Sequence, residues 1–419
     1  MSRQLNRNRS LLHLALRLAK RALVAVFALE AGVISMIVAL GAWRKHTHAR
    51  GKVPPQDLPP LTVGAAQMQV YTSGAQLYDA MLDAIRHAEQ RILIDMFIWK
   101  GDRVGREFKA ELASAAQRGV EVYVIFDGFA NLIVPPSFKR FPPSIHTLKF
   151  RVAPKPWRMF SIRNYGRDHH KLVVVDGKLG FMGGYNIGDP YATHWRDTSV
   201  RLSGPPVWDV EHVFIDFWNT HAGSSQPRLT SSAEQTWMSE VRLHRNVPKR
   251  LMFPIRSMYV EAIDRAQHHI YLTHAYFLPD RTIMRALLLA AQRGVDVRLL
   301  LPERSNHVLA DWLAHSFYSH LLRGGVKVLH YRRAMLHAKT ATIDGMWSTI
   351  GTANIDRLSL EGNYEINLEV FDAALAHQME GIFVTDSADA SEVTFEAWQQ
   401  RRPIAKLSEA ALAPLWPLL

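Results

Sequence analysis

His169-His170-Lys171-Leu172-Val173-Val174-Val175-Asp176 is matched 168 residues later by His337-Ala338-Lys339-Thr340-Ala341-Thr342-Ile343-Asp344. Seven residues after each Asp comes a glycine-led segment, Gly183-Gly184-Tyr185-Asn186 or Gly351-Thr352-Ala353-Asn354. An acid, Asp197 or Glu365, stands 28 residues beyond each His. One His-x-Lys is noise. Six features repeated at matched spacing are a signature, and they point to one active site assembled from two half-sites.

The duplication extends outward from the motif. Ala84-Ile85, Ala88 and Ile92 are repeated as Ala262-Ile263, Ala266 and Ile270, at an offset of 178. Ala115-Ala116-Gln117-Arg118-Gly119-Val120-Glu121-Val122 returns as Ala290-Ala291-Gln292-Arg293-Gly294-Val295-Asp296-Val297, at 175. A repeat this long marks duplicated domains, not a solenoid. Each block alternates apolar runs (Ile92 to Ile98, Val120 to Phe126; Ile270 to Phe277, Val295 to Leu301) with helical stretches (Arg106 to Gln117; Arg281 to Gln292). Gly119 and Gly294 stand where a helix commonly stops. Strand, helix, strand with short loops predicts an α/β fold of two similar lobes, with mixed, largely parallel sheets flanked by helices. The expected boundaries are 61–222 and 237–419, joined by a polar connector at 223–236 within the Ser-rich stretch Gly223 to Gln235.

The motif itself predicts chemistry. His-x-Lys leads into an apolar run, so it sits at the start of a buried strand, with His and Lys on one face. Asp176 and Asp344 fall on the other face of a regular strand, which suggests a hydrogen-bonding role in the scaffold. Two lysines with Asn186 and Asn354 would surround an anion with donors of fixed direction, as phosphoryl chemistry requires. Imidazole is a capable nucleophile toward phosphorus, and a second imidazole can move the leaving-group proton. Asp197 and Glu365 suit the orientation of those rings. A bound metal is disfavoured, because an ammonium at the same locus repels a cation. His170, next to His169, points the other way and reads as structural.

Composition limits the rest. The 419 residues contain no cysteine, which removes disulfides and thiolate chemistry. Net charge is +12, but residues 1–60 hold ten Lys/Arg against Glu30 and Asp57, so most of the excess is amino-terminal. Ala22 to Trp43 is an apolar run interrupted only by Glu30 and flanked by Arg17, Lys20, Arg21, Arg44 and Lys45. As a helix it would span ~33 Å, enough for a bilayer core of ~30 Å, so the run predicts a transmembrane helix. A cleaved signal ending near Ala39-Leu40-Gly41 and a buried helix are the alternatives. Val53 to Pro60 reads as a stiff linker. Residues 138–167 carry eight Lys/Arg (139, 140, 149, 151, 155, 158, 163, 167) and no acid, interleaved with Phe138, Phe141, Phe150, Trp157, Phe160 and Tyr165. That mixture suits an anionic membrane surface; single-stranded nucleic acid and a solvated connector are the competing readings.

Together these residues resemble the paired His-Lys-Asp motifs of the phospholipase D superfamily. Tyr276-Phe277-Leu278-Pro279-Asp280, Gln292-Arg293-Gly294-Val295, Trp195-Arg196-Asp197, Gly204-Pro205 and terminal Pro417-Leu418-Leu419 resemble the bacterial cardiolipin synthases in particular. His170 departs from the family, many of whose members carry Arg there. The resemblance implies two lobes related by a pseudo-twofold and a catalytic set of His169, Lys171, Asp176, His337, Lys339 and Asp344. It also implies phosphate contacts from Lys171, Asn186, Lys339 and Asn354, with no cofactor and no metal. His169 would attack a phosphatidyl phosphorus, and His337 would serve as acid and then base. A second phosphatidylglycerol as acceptor gives cardiolipin and glycerol; water as acceptor makes the chain a phospholipase. A phosphodiesterase or nuclease of the same superfamily and a non-catalytic lipid-binding protein complete the alternatives. The expected partners are phospholipid and a bacterial membrane, with neither nucleic acid nor an obligate protein partner.

Overall fold

Apolar runs and amphipathic stretches fold into two eight-stranded sheets. The computed structural model describes residues 51–151 and 166–401. The run at 22–43, Lys155 to Tyr165 of the basic–aromatic segment and the terminal Pro417-Leu418-Leu419 lie outside the described residues. Among the described residues no helix is long and apolar enough to cross a membrane.

The first half of the chain supplies β1 (Leu61–Val63), β2 (Ala66–Tyr71), β3 (Arg91–Met96), β4 (Glu121–Asp127), β5 (Ile145–Phe150), β6 (Lys171–Val175), β7 (Leu179–Gly183), β8 (Trp195–Arg196) and β9 (Ser199–Ser203). The second supplies β10 (Val241–Asn246), β11 (His269–His274), β12 (Asp296–Pro302), β13 (Lys327–Tyr331), β14 (Met335–Leu336), β15 (Lys339–Ile343), β16 (Trp347–Gly351), β17 (Glu365–Phe371) and β18 (Ala390–Val393). The sheet orders are β1-β2-β9-β7-β6-β3-β4-β5 and β10-β17-β16-β15-β11-β12-β13-β18. The motif strands β6 and β15 are both central, fifth and fourth in these orders, each between its hairpin partner and the run of parallel strands.

The expectation of largely parallel sheets is corrected here. Parallel pairs within the sheets join only β3–β4–β5 and β11–β12–β13; every other neighbour is antiparallel. At the catalytic strands the cause lies at the end of the motif. Asp176-Gly177 and Asp344-Gly345 all take positive φ (55°, 62°, 53° and 63°), the backbone of a tight two-residue hairpin. Each catalytic strand therefore turns straight back into its successor, where a helical crossover would have kept it parallel.

Helices form where the apolar period and the caps agree. In Arg103–Gln117, Val104, Phe108, Leu112 and Ala115 recur every three or four residues and are buried. Asp102 caps it by accepting from the Gly105 amide (3.0 Å), and Gly119 at φ 95° ends it. Arg281–Gln292 repeats this design with Asp280 as cap and Gly294 at φ 91°. Truncating a fully buried residue such as Phe108 to Ala would cost about 3–5 kcal/mol. One core cluster joins both sheets: Val210, Phe214 and Trp218 of the helix Pro206–His221 share it with Leu172 of β6 and with Ile366 and Leu368 of β17. That common core ties β6 to β16, the strand next to β15 in the second sheet, and to β17 beyond it.

Candidate active site

Lys171 and Lys339 open β6 and β15, with His169 and His337 two residues ahead on the incoming backbone. Both lysines are buried. Each turns back on its own motif: Lys171 Nζ donates to the His169 carbonyl at 2.8 Å, and Lys339 Nζ donates to that of His337. Aromatic rings wall the site. Phe97 lies edge-on to His169 with centroids 4.5 Å apart, and Trp195 and Tyr276 flank His337 at 4.8 and 6.2 Å.

The half-sites exchange partners. His169 Nδ1 lies 2.8 Å from Glu365 Oε2, and His337 Nδ1 lies 2.6 Å from Asp197 Oδ2. The backbone makes the same exchange: His169 N donates to Tyr364 O (3.0 Å), and His337 N to Arg196 O (2.7 Å). Each His is thus tied to the residue just before the acid that its own ring meets. The short parallel pair β8–β14 sets this register, and Arg196 is clamped in turn by Asp386 at 2.9 and 2.7 Å. The equal 28-residue spacing carried no sign that each acid serves the other copy's imidazole.

The acids favour one tautomer of each ring. Thr352 Oγ1 accepts from the Ile366 amide (3.0 Å), so its own proton goes to Glu365 Oε2 at 2.5 Å. That oxygen is already accepting and must accept again from His169 Nδ1–H. Asp197 Oδ1 accepts from the Thr198 amide (2.8 Å), leaving Oδ2 to accept from His337 Nδ1–H. With the acids accepting at Nδ1, each ring presents Nε2 for attack or proton transfer; Lys339 Nζ also lies 2.8 Å from His337 Nδ1 and competes for that nitrogen.

Gly184 and Thr352 are matched positions with opposite solutions. A Cβ on Gly184 would stand 1.9 Å from Asp197 Oδ1, so only glycine admits the short acid there. The second half has Thr352 and the longer Glu365, and the hydroxyl fills that space with a donor.

Burial and mutual charge set the ionisation states. Desolvation, with the charges of Lys171 and Lys339, holds His169 well below the ordinary imidazole value. Burial and Lys339 bring His337 down to about 3. Burial brings Lys171 to about 7 and Lys339 to about 8. Burial also opposes ionisation of both acids, with different results. Lys339, His337 and the Thr198 amide overcome it at Asp197, which stays below the usual carboxylate range. Glu365 is pushed up to about 8. The site pairs two imidazoles held neutral with lysines that an anion would keep charged.

The remaining sequence-predicted residues divide. Asn186 Oδ1 accepts from the Ile98 amide (3.0 Å), so its NH2 end is the one left to meet an anion. Asn354 is buried, and its Oδ1 has no partner among the described residues. Asp176 and Asp344 do not belong with the catalytic groups, which corrects their place in the implied set. Asp176 accepts from the amides of Glu89, Gln90 and Arg91 at 2.8–2.9 Å. Asp344 accepts from those of Gln267, His268 and His269 at 2.7–2.9 Å. Both sit at the far end of their strands from His169 and His337, pinning the hairpin turns to the loops that enter β3 and β11.

His170 is structural, as expected. Its Nδ1 lies 2.9 Å from Asp168 and 3.3 Å from Asp95, all three buried. Burial works against its charge, but the two carboxylates overcome it and raise the ring to about 9. Among the described residues this trio has metal-like spacing, its ligand atoms lying within 4.8 Å. The imidazolium already stands between the two acids where a cation would go. Phe97 and the Thr352 hydroxyl are contributors the sequence reading did not single out. No periodicity marks Phe97, and Thr352 differs from its counterpart Gly184.

Comparison with known proteins agrees with this geometry. Residues 81–218 and 259–387 match the family described as "Cardiolipin synthase, PLD-like domain". The chain is 30% identical over 364 residues to a cardiolipin synthase of Staphylococcus aureus, covering 84% of this chain and 73% of that one. A cardiolipin synthase of Clostridium perfringens is 29% identical over 369 residues, covering 84% and 77%. Among solved structures, the phosphatidylserine synthase of Haemophilus influenzae superposes with a TM-score of 0.65 at 15% identity, over 86% of this chain and 95% of that one. That likeness speaks for the fold alone.

Proposed function

The chain belongs to the cardiolipin synthase, PLD-like family, and from that premise we propose that it is a phosphatidyltransferase that joins two phosphatidylglycerol molecules into cardiolipin and releases glycerol. The reciprocal pairing of His169 with Glu365 and of His337 with Asp197 is the observation that carries the reading. Two imidazoles presenting Nε2, two buried lysines and aromatic walls suit one phosphodiester held between them.

The steps follow from the ionisation pattern. His169 Nε2 attacks phosphorus, and the bond from phosphorus to the glycerol oxygen breaks. The anionic phosphodiester offsets the charges of Lys339 and Lys171 that hold His337 neutral, so His337 takes up a proton from solvent at Nε2 as substrate binds and delivers it to that departing oxygen. The hydroxyl of a second phosphatidylglycerol then attacks phosphorus, gives its proton to His337 Nε2, and the P–N bond breaks. Asp197 is held ionised and works against the burial and the Lys339 charge that lower His337, whereas Glu365 ionises reluctantly and gives His169 less counter-charge, leaving it neutral for attack. This contrast supports His169 as nucleophile and His337 as acid and base. Lys171, Lys339, Asn186 and Asn354 hold the non-bridging oxygens, and an anionic phosphodiester restores charge to lysines that burial disfavours. No step calls for a cofactor. The apolar run at 22–43 and its basic flanks support tethering to the membrane that holds the substrate.

Purified full-length protein given phosphatidylglycerol should yield cardiolipin and glycerol in equal amounts. Phosphatidic acid as the lipid product would make it a hydrolase, and cleavage of DNA without turnover of lipid would make it a nuclease.

A further inference from the structure

The segment that follows β4 carries Phe129, Leu132 and Ile133, and all three face solvent, at 55%, 55% and 92% exposure. Exposed apolar side chains on a loose loop would need no explanation; this segment is not loose. Asp127 Oδ1 accepts from the Phe129 and Ala130 amides (2.8 and 2.9 Å). Asn131, itself buried, donates to the carbonyls of Phe97 and Asp127 (both 2.8 Å) and accepts from the Trp99 amide (2.9 Å). Val134 is buried on the inner side. Buried polar bonds thus hold three large apolar groups outward in water, at a cost that calls for an apolar partner.

Position and charge identify that partner. Asn131 is bonded to the Phe97 carbonyl, and the Phe97 ring packs on His169, so the segment is anchored to the residue beside the proposed nucleophile. Residues 128–151 contain Lys139, Arg140, Lys149 and Arg151 and no acid. The Arg167 guanidinium lies 5.6 Å from the Phe129 ring. The corresponding segment after β12, Glu303-Arg304-Ser305-Asn306-His307, contains no large apolar residue, so the feature belongs to one half only. We infer that Phe129, Leu132 and Ile133 form a rigid wedge that enters the surface of an anionic phospholipid bilayer and draws a lipid headgroup toward His169. Apolar tips reach the acyl boundary while the cations beside them meet headgroup phosphates. The inference rests on the phospholipid reading of the site and adds the surface by which substrate is taken from the bilayer.

The absence of cysteine allows a direct test. Full-length Ile133→Cys, labelled with an environment-sensitive fluorophore, is mixed with phosphatidylglycerol vesicles. Glu89→Cys, beside Asp176 at the far end of β6, is the control. A blue shift at position 133, absent at 89 and weaker with phosphatidylcholine vesicles, is expected. The triple variant Phe129→Ser, Leu132→Ser, Ile133→Ser should lose turnover on vesicles by more than about tenfold. On monomeric short-chain phosphatidylglycerol it should stay within about twofold of wild type. An unshifted label on protein that turns over vesicles, or equal losses on both substrates, would overturn the wedge. So would wild-type dimers that the triple variant dissolves, since the surface would then belong to a second copy. Failure of the wild type on the monomeric lipid would strike the phospholipid reading itself, independently of the wedge.

Discussion

Asp197→Asn and Glu365→Gln look equivalent in sequence, each replacing the acid behind an imidazole with its amide. The structure predicts unequal outcomes. Asp197 Oδ1 receives the Thr198 amide and Oδ2 receives His337 Nδ1–H. An asparagine there has one oxygen and must keep it on the backbone amide, which cannot turn. Its NH2 then faces His337 Nδ1 and forces the proton to Nε2. Reversing the tautomer of a catalytic imidazole costs on the order of 10⁴ in rate in the serine-protease template, or roughly 5 kcal/mol. Glu365 differs because only Oε2 is engaged, by Thr352 and His169 together, while Oε1 has no partner among the described residues. Glutamine can keep its oxygen at the Oε2 position and turn NH2 into the other, so the His169 tautomer survives. Glu365, at about 8, carries little charge at neutral pH, so its amide removes little and the loss should stay within about tenfold. The assay is cardiolipin formation from phosphatidylglycerol, with thermal unfolding of both variants to confirm that they fold. Equal losses, or a larger loss for Glu365→Gln, would refute the tautomer argument.

Asp176→Ala should lower stability by about 2–4 kcal/mol, since three amides lose a charged acceptor, yet leave the folded fraction active; a stable but inactive variant would return Asp176 to the chemistry. Gly184→Ala should lower activity by more than about a hundredfold, because its methyl displaces the Asp197 carboxylate behind His337; near-normal turnover would show that Asp197 can move freely. Lysines bind anions only when protonated, and Lys171 and Lys339 stand at about 7 and about 8 in the empty site. Affinity for inorganic phosphate, measured by calorimetry, should therefore be full below pH 7 and fall as pH rises through that window. A flat profile from pH 6 to 9 would contradict the burial argument.

Much of this was legible in the chain and some was not, for identifiable reasons. Paired strands and helices were readable because each half repeats its apolar period, its Asp cap and its stopping glycine, as at Asp102–Gly119 and Asp280–Gly294. The antiparallel majority was also written there. Asp176-Gly177 and Asp344-Gly345 between apolar runs are a hairpin signal, although the same aspartates close the His-x-Lys motif. That same signal accounts for the aspartates' place outside the site. The crossed partnership of imidazoles and acids was not legible, because spacing along one copy says nothing about which copy faces it. The difference between Gly184 and Thr352 reads as drift in the sequence; with the acids in place, each is the residue its own acid requires.

The central claim, that His169 and His337 act on one phosphodiester with His169 forming the bond to phosphorus, is tested most directly by trapping. Full-length protein incubated with radiolabelled phosphatidylglycerol, quenched in denaturant at neutral or alkaline pH and digested, should carry an acid-labile phosphatidyl group on the peptide containing His169. His337→Ala should accumulate that adduct or form it slowly, and His169→Ala should form none. Label on the peptide containing His337, or on neither during steady turnover, would contradict the account.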